Sequence, residues 1–223
     1  MRWCTCQHPY QKESCKETCK NNEAEMSLID QSYFVGDIAL PNLDEVSNTI
    51  QDTIDRYEEE CLKNLLGHQL YEAFILGLEE PSPDQEWIDL RDGKEFTFEV
   101  DGHTVTEKWN GLINNDRVSL ISYYVYYKYR YENLSTTTSI NDVQGIAENA
   151  TKVNDTRKMV YAWNRGIELS GSITPWEDYF YKYDDTYEFF NDLPSAYNFL
   201  NANRGDYPNW VFTPLLRYNE FGI

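Results

Sequence analysis

Residues 45–66, EVSNTIQDTIDRYEEECLKNLL, decide the fold class. Val46, Ile50, Ile54, Tyr57, Cys61 and Leu65 recur at spacings of 4, 4, 3, 4 and 4. That rhythm stacks them on one face of an α-helix, whereas a strand would scatter them over both faces. Asp44 or Ser47 offers an N-cap, and Gly67 stands where a C′ residue belongs. Glu58, Glu59 and Glu60 fall mostly on the exposed face, and Cys61 reads as a small buried hydrophobe. Leu70, Tyr71, Phe74, Ile75 and Leu78 then predict a second, shorter helix, closed by Pro81 and Pro83 because proline cannot continue a helix.

Working downstream, Phe96, Phe98 and Val100 alternate, Asp101-Gly102 follows, and Thr104 to Thr106 is β-branched. Asp-Gly between two such runs predicts a β-hairpin over 94–109 with a two-residue turn. Residues 116–132, DRVSLISYYVYYKYRYE, are too long for an ordinary strand and carry Asp116 as a cap, so they read as a helix over 117–132. Its apolar groups go nearly all the way round, which predicts burial on every side, partly against neighbouring subunits. Its tyrosines, Tyr124, Tyr127 and Tyr131 among them, join large apolar area to a polar tip, the type enriched at interfaces.

Residues 133–149 are polar and form a long loop. Helix resumes over 151–169, with Val153, Val160, Trp163 and Ile167 inward and Lys152, Arg157, Lys158 and Arg165 as a basic stripe. Residues 176–221 hold 15 aromatics in 46, and Trp176, Tyr179, Phe180, Tyr183, Tyr187 and Phe190 make a helical stripe. Pro194, Gly205, Pro208 and Pro214 break the rest of the chain, including Trp210, into short pieces. This part reads as an extension that packs on something. The interface candidates are therefore Tyr124, Tyr127, Tyr131, Trp176, Tyr179, Phe180, Tyr183 and Trp210.

Working upstream, residues 26–43 read as an extended arm closing at Pro41, and Met26 resembles an independent start. Cys4, Cys6, Cys15 and Cys19 are spaced C-x-C-x8-C-x3-C. Four thiolates can close a tetrahedral zinc site, but C-x-C is a poor bite for one metal, so a disulfide-stapled or thiol-bearing tail is the preferred reading and no cofactor is expected. The division that results is a Cys-rich extension at 1–26, a helical domain at 27–170 and an aromatic-rich extension at 171–223. The expected fold is mainly α: a small helical bundle with one inserted β-hairpin and extended N- and C-terminal arms.

The chain has 223 residues, a formal charge of −19, and 15% aromatic residues. Rings at that density argue against disorder. The acidity opposes tight non-specific nucleic-acid binding and docking on anionic membranes, and no apolar run spans a bilayer. Catalysis needs a constellation, and none stands out. There is no phosphate-binding glycine loop and no HExxH, and His68 and His103 sit in turn contexts. Carboxylates are abundant, but no pair is marked as special. The reading is non-enzymatic. Aromatics lining a sugar-binding face, in a carbohydrate-binding module or an acidic glycan-active protein, are the alternative.

The order of pieces carries a resemblance. YEEECLKNLLGHQLYEAF (57–74) is followed by a Trp-bearing loop, a small hairpin, KWNGL (108–112), YYVYYKYRYE (123–132), the TTTSINDVQG loop and a further helix. Over about residues 27–170 this resembles the head–tail connector (adaptor, or neck ring) proteins of tailed phages, nearest those of crAss-like and other Bacteroidetes phages. The resemblance implies a virion protein, assembled in the host cytoplasm as a homo-oligomeric ring, typically of twelve copies. Such a ring would sit between the portal protein and the next tail or neck component and extend the DNA channel. Residues 1–25 carry four basic and four acidic side chains, so the whole −19 belongs to the remainder. An acidic wall suits a channel that DNA passes through without specific binding.

Overall fold

The computed structural model describes residues 27–40, 43–100, 103–133, 136–137, 142–143, 155–171 and 195–216. Among the described residues six α-helices and one hairpin of seven-residue strands make a mainly α fold, as the sequence predicts. They are α1 (Leu43–Leu66), α2 (His68–Glu79), α3 (Gln85–Asp92), β1 (Lys94–Val100), β2 (His103–Trp109), α4 (Leu120–Glu132), α5 (Asp155–Ser170) and α6 (Ala196–Ala202). Two 3-10 turns, Gln31–Tyr33 and Gly36–Ile38, shape the N-terminal arm, which is not simply extended. Thr136–Thr137 pairs with Asp142–Val143 in a two-residue ladder within the predicted loop.

Helix α1 starts at Leu43, so Asp44 and Ser47 lie inside its first turns and neither is the cap. Ile50, Ile54, Cys61 and Leu65 are buried along the predicted face, and burial pushes the Cys61 thiol well above its ordinary pKa. Gly67 takes a positive φ of 77° and closes the helix, its N–H donating to Lys63 O at 2.9 Å. The last carbonyls of a helix have no partner within it. Here all four are satisfied. Beyond Lys63, Asn64 O accepts from Thr213 N (3.0 Å), Leu65 O from Trp210 Nε1 (2.9 Å) and Leu66 O from Val211 N (3.2 Å). Three of the four partners come from the far end of the chain.

The predicted helix over 117–132 begins at Leu120, not after Asp116. Ser119 is the N-cap, its Oγ accepting from Ile121 N at 3.2 Å and donating to Leu112 O at 2.6 Å. Asn114 holds the preceding turn through both ends of its amide, to Val118 O and Val118 N. Every residue from Leu120 to Tyr126 is buried. The chain supplies that cover itself, because α4 packs against both α1 and α5, so neighbouring subunits are not needed to bury this half. Arg130 stands in its last turn, where a cation complements the helix dipole. On α5 the expected inward residues Val160, Trp163 and Ile167 are buried, while Val153 lies outside the described residues.

Two helices are not legible in the sequence pattern. Helix α3 is held by Trp87, whose indole lies so close over Gly77 of α2 that a Cβ there would stand 2.3 Å from its Nε1. Helix α6 is capped by Ser195 Oγ, which accepts from Asn198 N at 3.2 Å. It inserts Phe199 between Phe96 (5.5 Å between ring centres), Trp109 (6.0 Å) and Tyr207 (6.0 Å). Tyr207 is also in ring contact with Trp87 and donates to Glu86 O at 2.8 Å. Residues 195–216 thus complete the same core as the helices.

The hairpin has the predicted form. Val100 pairs with His103, which leaves a two-residue turn, and the ladder runs to Lys94 opposite Trp109. Phe96 faces inward and Trp109 Nε1 donates to Leu90 O at 3.0 Å. At its neck the entering and leaving chains cross on two glycines of positive φ, Gly93 (95°) and Gly111 (83°). A Cβ at Gly93 would stand 2.3 Å from Trp109 O, and one at Gly111 would stand 2.5 Å from Arg91 O.

Candidate assembly surface

The predicted interface residues separate into three groups. Tyr124 and Trp210 are buried within the chain, and Trp210 is only 4% exposed. Trp210 packs on Tyr197 (5.3 Å) and Phe212 (6.0 Å), with the Arg204 guanidinium 5.4 Å from its ring centre. Its place is the C-terminal seal of α1, away from any open face. Tyr127 is half-buried against the core and Tyr131 is exposed. Trp176, Tyr179, Phe180 and Tyr183 lie outside the described residues, as do Cys4, Cys6, Cys15 and Cys19.

Tyr127 and Tyr131 lie one turn apart on α4, which brings their rings into a stack with centres 6.1 Å apart. Tyr127 also rests on Trp163 of α5 at 4.6 Å, and Trp163 Nε1 donates to Leu216 O at 2.7 Å. Tyr131 (64% exposed) and Leu216 (74% exposed) therefore bracket one apolar strip running across α4, α5 and the C-terminal segment. Between Trp163, Tyr124 and Leu215 a small crevice leaves about 10 Å³ free, room for about one water and no more.

A charged network borders the strip. Tyr124 donates to Glu60 Oε1 at 2.6 Å, and Lys128 Nζ reaches the same oxygen at 3.0 Å while lying 5.0 Å over Tyr57 and 5.2 Å over Tyr124. Burial works against the Glu60 charge, yet the bonds from Tyr124 and Lys128 hold its carboxyl below the usual range. Burial first, and then the Glu60 carboxylate, push the Tyr124 hydroxyl far up, so it stays a donor. Tyr57 donates to Glu132 Oε1 at 2.5 Å, which Arg56 also approaches at 3.3 Å. The network ties α4 to α1 on the side where Tyr131 stands. Sequence reasoning names the tyrosines and misses Lys128, Glu60 and Glu132. The spacing Glu60–Tyr57 and Tyr124–Lys128 on facing helices shows them only once the pairing of the helices is known.

A second spot, mixed in character, centres on Tyr161 (50% exposed), which donates to Asp37 Oδ2 at 3.1 Å and lies near Arg165 and Glu168. Tyr161 and Trp163 are two positions apart on α5, about 200° around the helix, so the two spots lie on different sides of it. Of the predicted basic stripe, Arg165 pairs with Glu168 at 2.8 Å, Arg157 and Lys158 are exposed, and Lys152 lies outside the described residues. His68 opens α2, exposed beside Glu72 at 3.9 Å.

Among the described residues no three His, Cys, Asp or Glu side chains are grouped to hold a metal ion, and no helix is long and apolar enough to cross a membrane. Comparison with protein-family models, with curated proteins and with solved structures finds no match to this chain.

Proposed function

We propose that the chain is a non-enzymatic structural subunit of a tailed-phage neck ring, joining the portal protein to the next tail or neck component. The observation that carries this reading is the order of elements behind the sequence resemblance: long helix, short helix, hairpin, tyrosine-rich helix, further helix. Two features of the surface support it. A ring is built from heterologous contacts, which need two different adhesive faces on each subunit. The Tyr131–Leu216 strip and the mixed spot at Tyr161, with Asp37, Arg165 and Glu168 around its ring, lie on different sides of α5 and differ in chemistry. The net charge of −19 suits a channel wall past which DNA moves without being gripped. On this reading the protein functions in the virion, with twelve copies as the family likeness implies, and uses no cofactor. The glycan-binding alternative calls for an open indole face. Among the described residues Trp109, Trp163 and Trp210 are buried and Trp87 is half-buried, so none of these offers that reading an open indole face, while Trp3 and Trp176 lie outside the described residues.

The test is the size of the assembly, measured by native mass spectrometry with and without the cognate portal protein. A closed ring on the portal is expected, and a chain that stays monomeric with the portal present would sink the proposal. Tyr131→Asp places a charge at the strip on an already exposed position. It is expected to weaken ring formation by about tenfold or more, as for an aromatic anchor at an interface, with the unfolding midpoint unchanged.

A further inference from the structure

We propose that residues 27–40 form a strap that opens as a unit from a body that stays folded, with Glu58 as its lock. The sequence places Glu58 on the exposed side of α1, and the structure corrects this: the residue is 7% exposed, because the arm folds over it. Its carboxylate accepts three hydrogen bonds from the start of the arm. Leu28 N donates to Oε1 at 2.7 Å, while Ile29 N (3.2 Å) and Ser27 Oγ (2.9 Å) donate to Oε2. One side chain thus satisfies two consecutive backbone donors. Burial of the carboxylate pushes its pKa up against the pull of those bonds, and Asp55 on the same helix adds to the rise.

The rest of the attachment is of a different kind. The arm's own backbone bonds are internal, such as Phe34 N to Gln31 O and Ala39 N to Gly36 O, and among the described residues none joins its backbone to that of the body. Its other polar ties are single side-chain contacts. Tyr33 shares hydrogen bonds with Asn114, Arg117 Nη1 donates to Ser32 O, and Tyr161 donates to Asp37. The last two are exposed and so add little. Apolar contact comes from Ile29, Phe34, Ile38 and Leu40. They join the same core cluster as the helices, but α4 packs against both α1 and α5 independently of the arm, so on this proposal the body keeps that packing when the arm leaves. A segment with no ladder to its neighbour and one buried polar anchor is the kind that opens below the global unfolding free energy. Opening uncovers the apolar side of α1 that the strap now hides.

Native-state hydrogen exchange on the full chain tests this. In the wild type, amides of 28–40 are expected to exchange through an opening that leaves Val125 and Tyr126 of α4 protected. Glu58→Ala leaves the Leu28 and Ile29 donors unpaired, and is expected to speed exchange over 28–40 by about tenfold or more, with α4 unchanged. If 28–40 and α4 exchange together in the wild type, the strap is part of the global unit and the proposal fails. It fails equally if Glu58→Ala folds and leaves 28–40 as slow as before. Should that variant not fold, the wild-type comparison decides alone.

Discussion

Replacing Trp210 by alanine is expected to lower the stability of the folded chain by about 3–5 kcal/mol, the range for removing a large buried aromatic. Two effects combine. The indole is buried against Tyr197 and Phe212, so its loss leaves a cavity that the short C-terminal segment closes only in part. The second effect is polar: Leu65 O loses the Nε1 donor that satisfies it at the end of α1, and an unpaired buried carbonyl costs about 1–3 kcal/mol. Trp210→Phe separates the two. It keeps most of the volume, loses the donor, and is expected to cost about 1–3 kcal/mol. Urea unfolding followed by far-UV circular dichroism measures both. If Trp210→Ala unfolds at the wild-type midpoint but no longer assembles, the residue belongs to an interface and its burial within the chain has no energetic weight.

That contrast shows how far the sequence can be read. The apolar rhythm from Val46 to Leu65 and the Asp-Gly turn are local signals, and they predict α1 and the hairpin because a helix face and a two-residue turn are decided within a few residues. The identity of whatever covers a face is not local. The all-round apolar helix predicts the burial of Leu120 to Tyr126 but not the exposure of Tyr131, and whether α5 or a second copy provides the cover depends on tertiary pairing. Trp210 escapes the sequence for the same reason: proline and glycine around it suggest loose pieces, while its partner, Leu65 O, lies 145 positions away. Glu58 is misplaced by the sequence because helical spacing reports an angle around α1 and cannot report that the arm returns to cover that angle. Helices α3 and α6 are short enough that their own patterns are weak, and each is fixed from outside, by Gly77 under Trp87 and by the ring cluster on Phe199.

The surface divides in a similar way. Tyr131 is legible as an interface candidate because the tyrosine run makes its helix apolar nearly all the way round, while the structure alone shows that its ring is the one left exposed. What ties α4 to α1 beside the strip is the network of Tyr124, Lys128 and Glu60, and its members are ordinary residues in the sequence. Acidic excess alone makes Glu60 and Glu132 look like solvated surface. In the structure both accept from tyrosine hydroxyls, Tyr124 and Tyr57, so part of the tyrosine content that suggests an interface serves to tie the helices together.

Gly93→Ala is expected to destabilise the chain by about 2–6 kcal/mol, because two costs meet at one position. Gly93 sits at φ 95°, ψ 159°, a region essentially confined to glycine, and holding a residue with a Cβ there costs about 1–3 kcal/mol. The Cβ would also stand 2.3 Å from Trp109 O and 2.7 Å from Asn110 C, which are backbone atoms that cannot rotate away. Relieving such an overlap by shifting the chain costs about 1–3 kcal/mol. The strain falls where Trp109 donates to Leu90 O and Ile113 N donates to Arg91 O, bonds that, with Lys94 Nζ to Asp89 Oδ2, tie the hairpin and the chain leaving it to α3. Gly111→Ala meets Arg91 O and Asp92 C from the opposite side and is expected to behave alike. Because both substitutions pry open one crossing, the second adds less once the first has been made, and the double variant is expected to fall short of the sum. Urea midpoints for the two single variants and the double variant measure this directly. Full additivity would mean that the two glycines act at independent sites and that the crossing is not the element that sets the hairpin on the bundle.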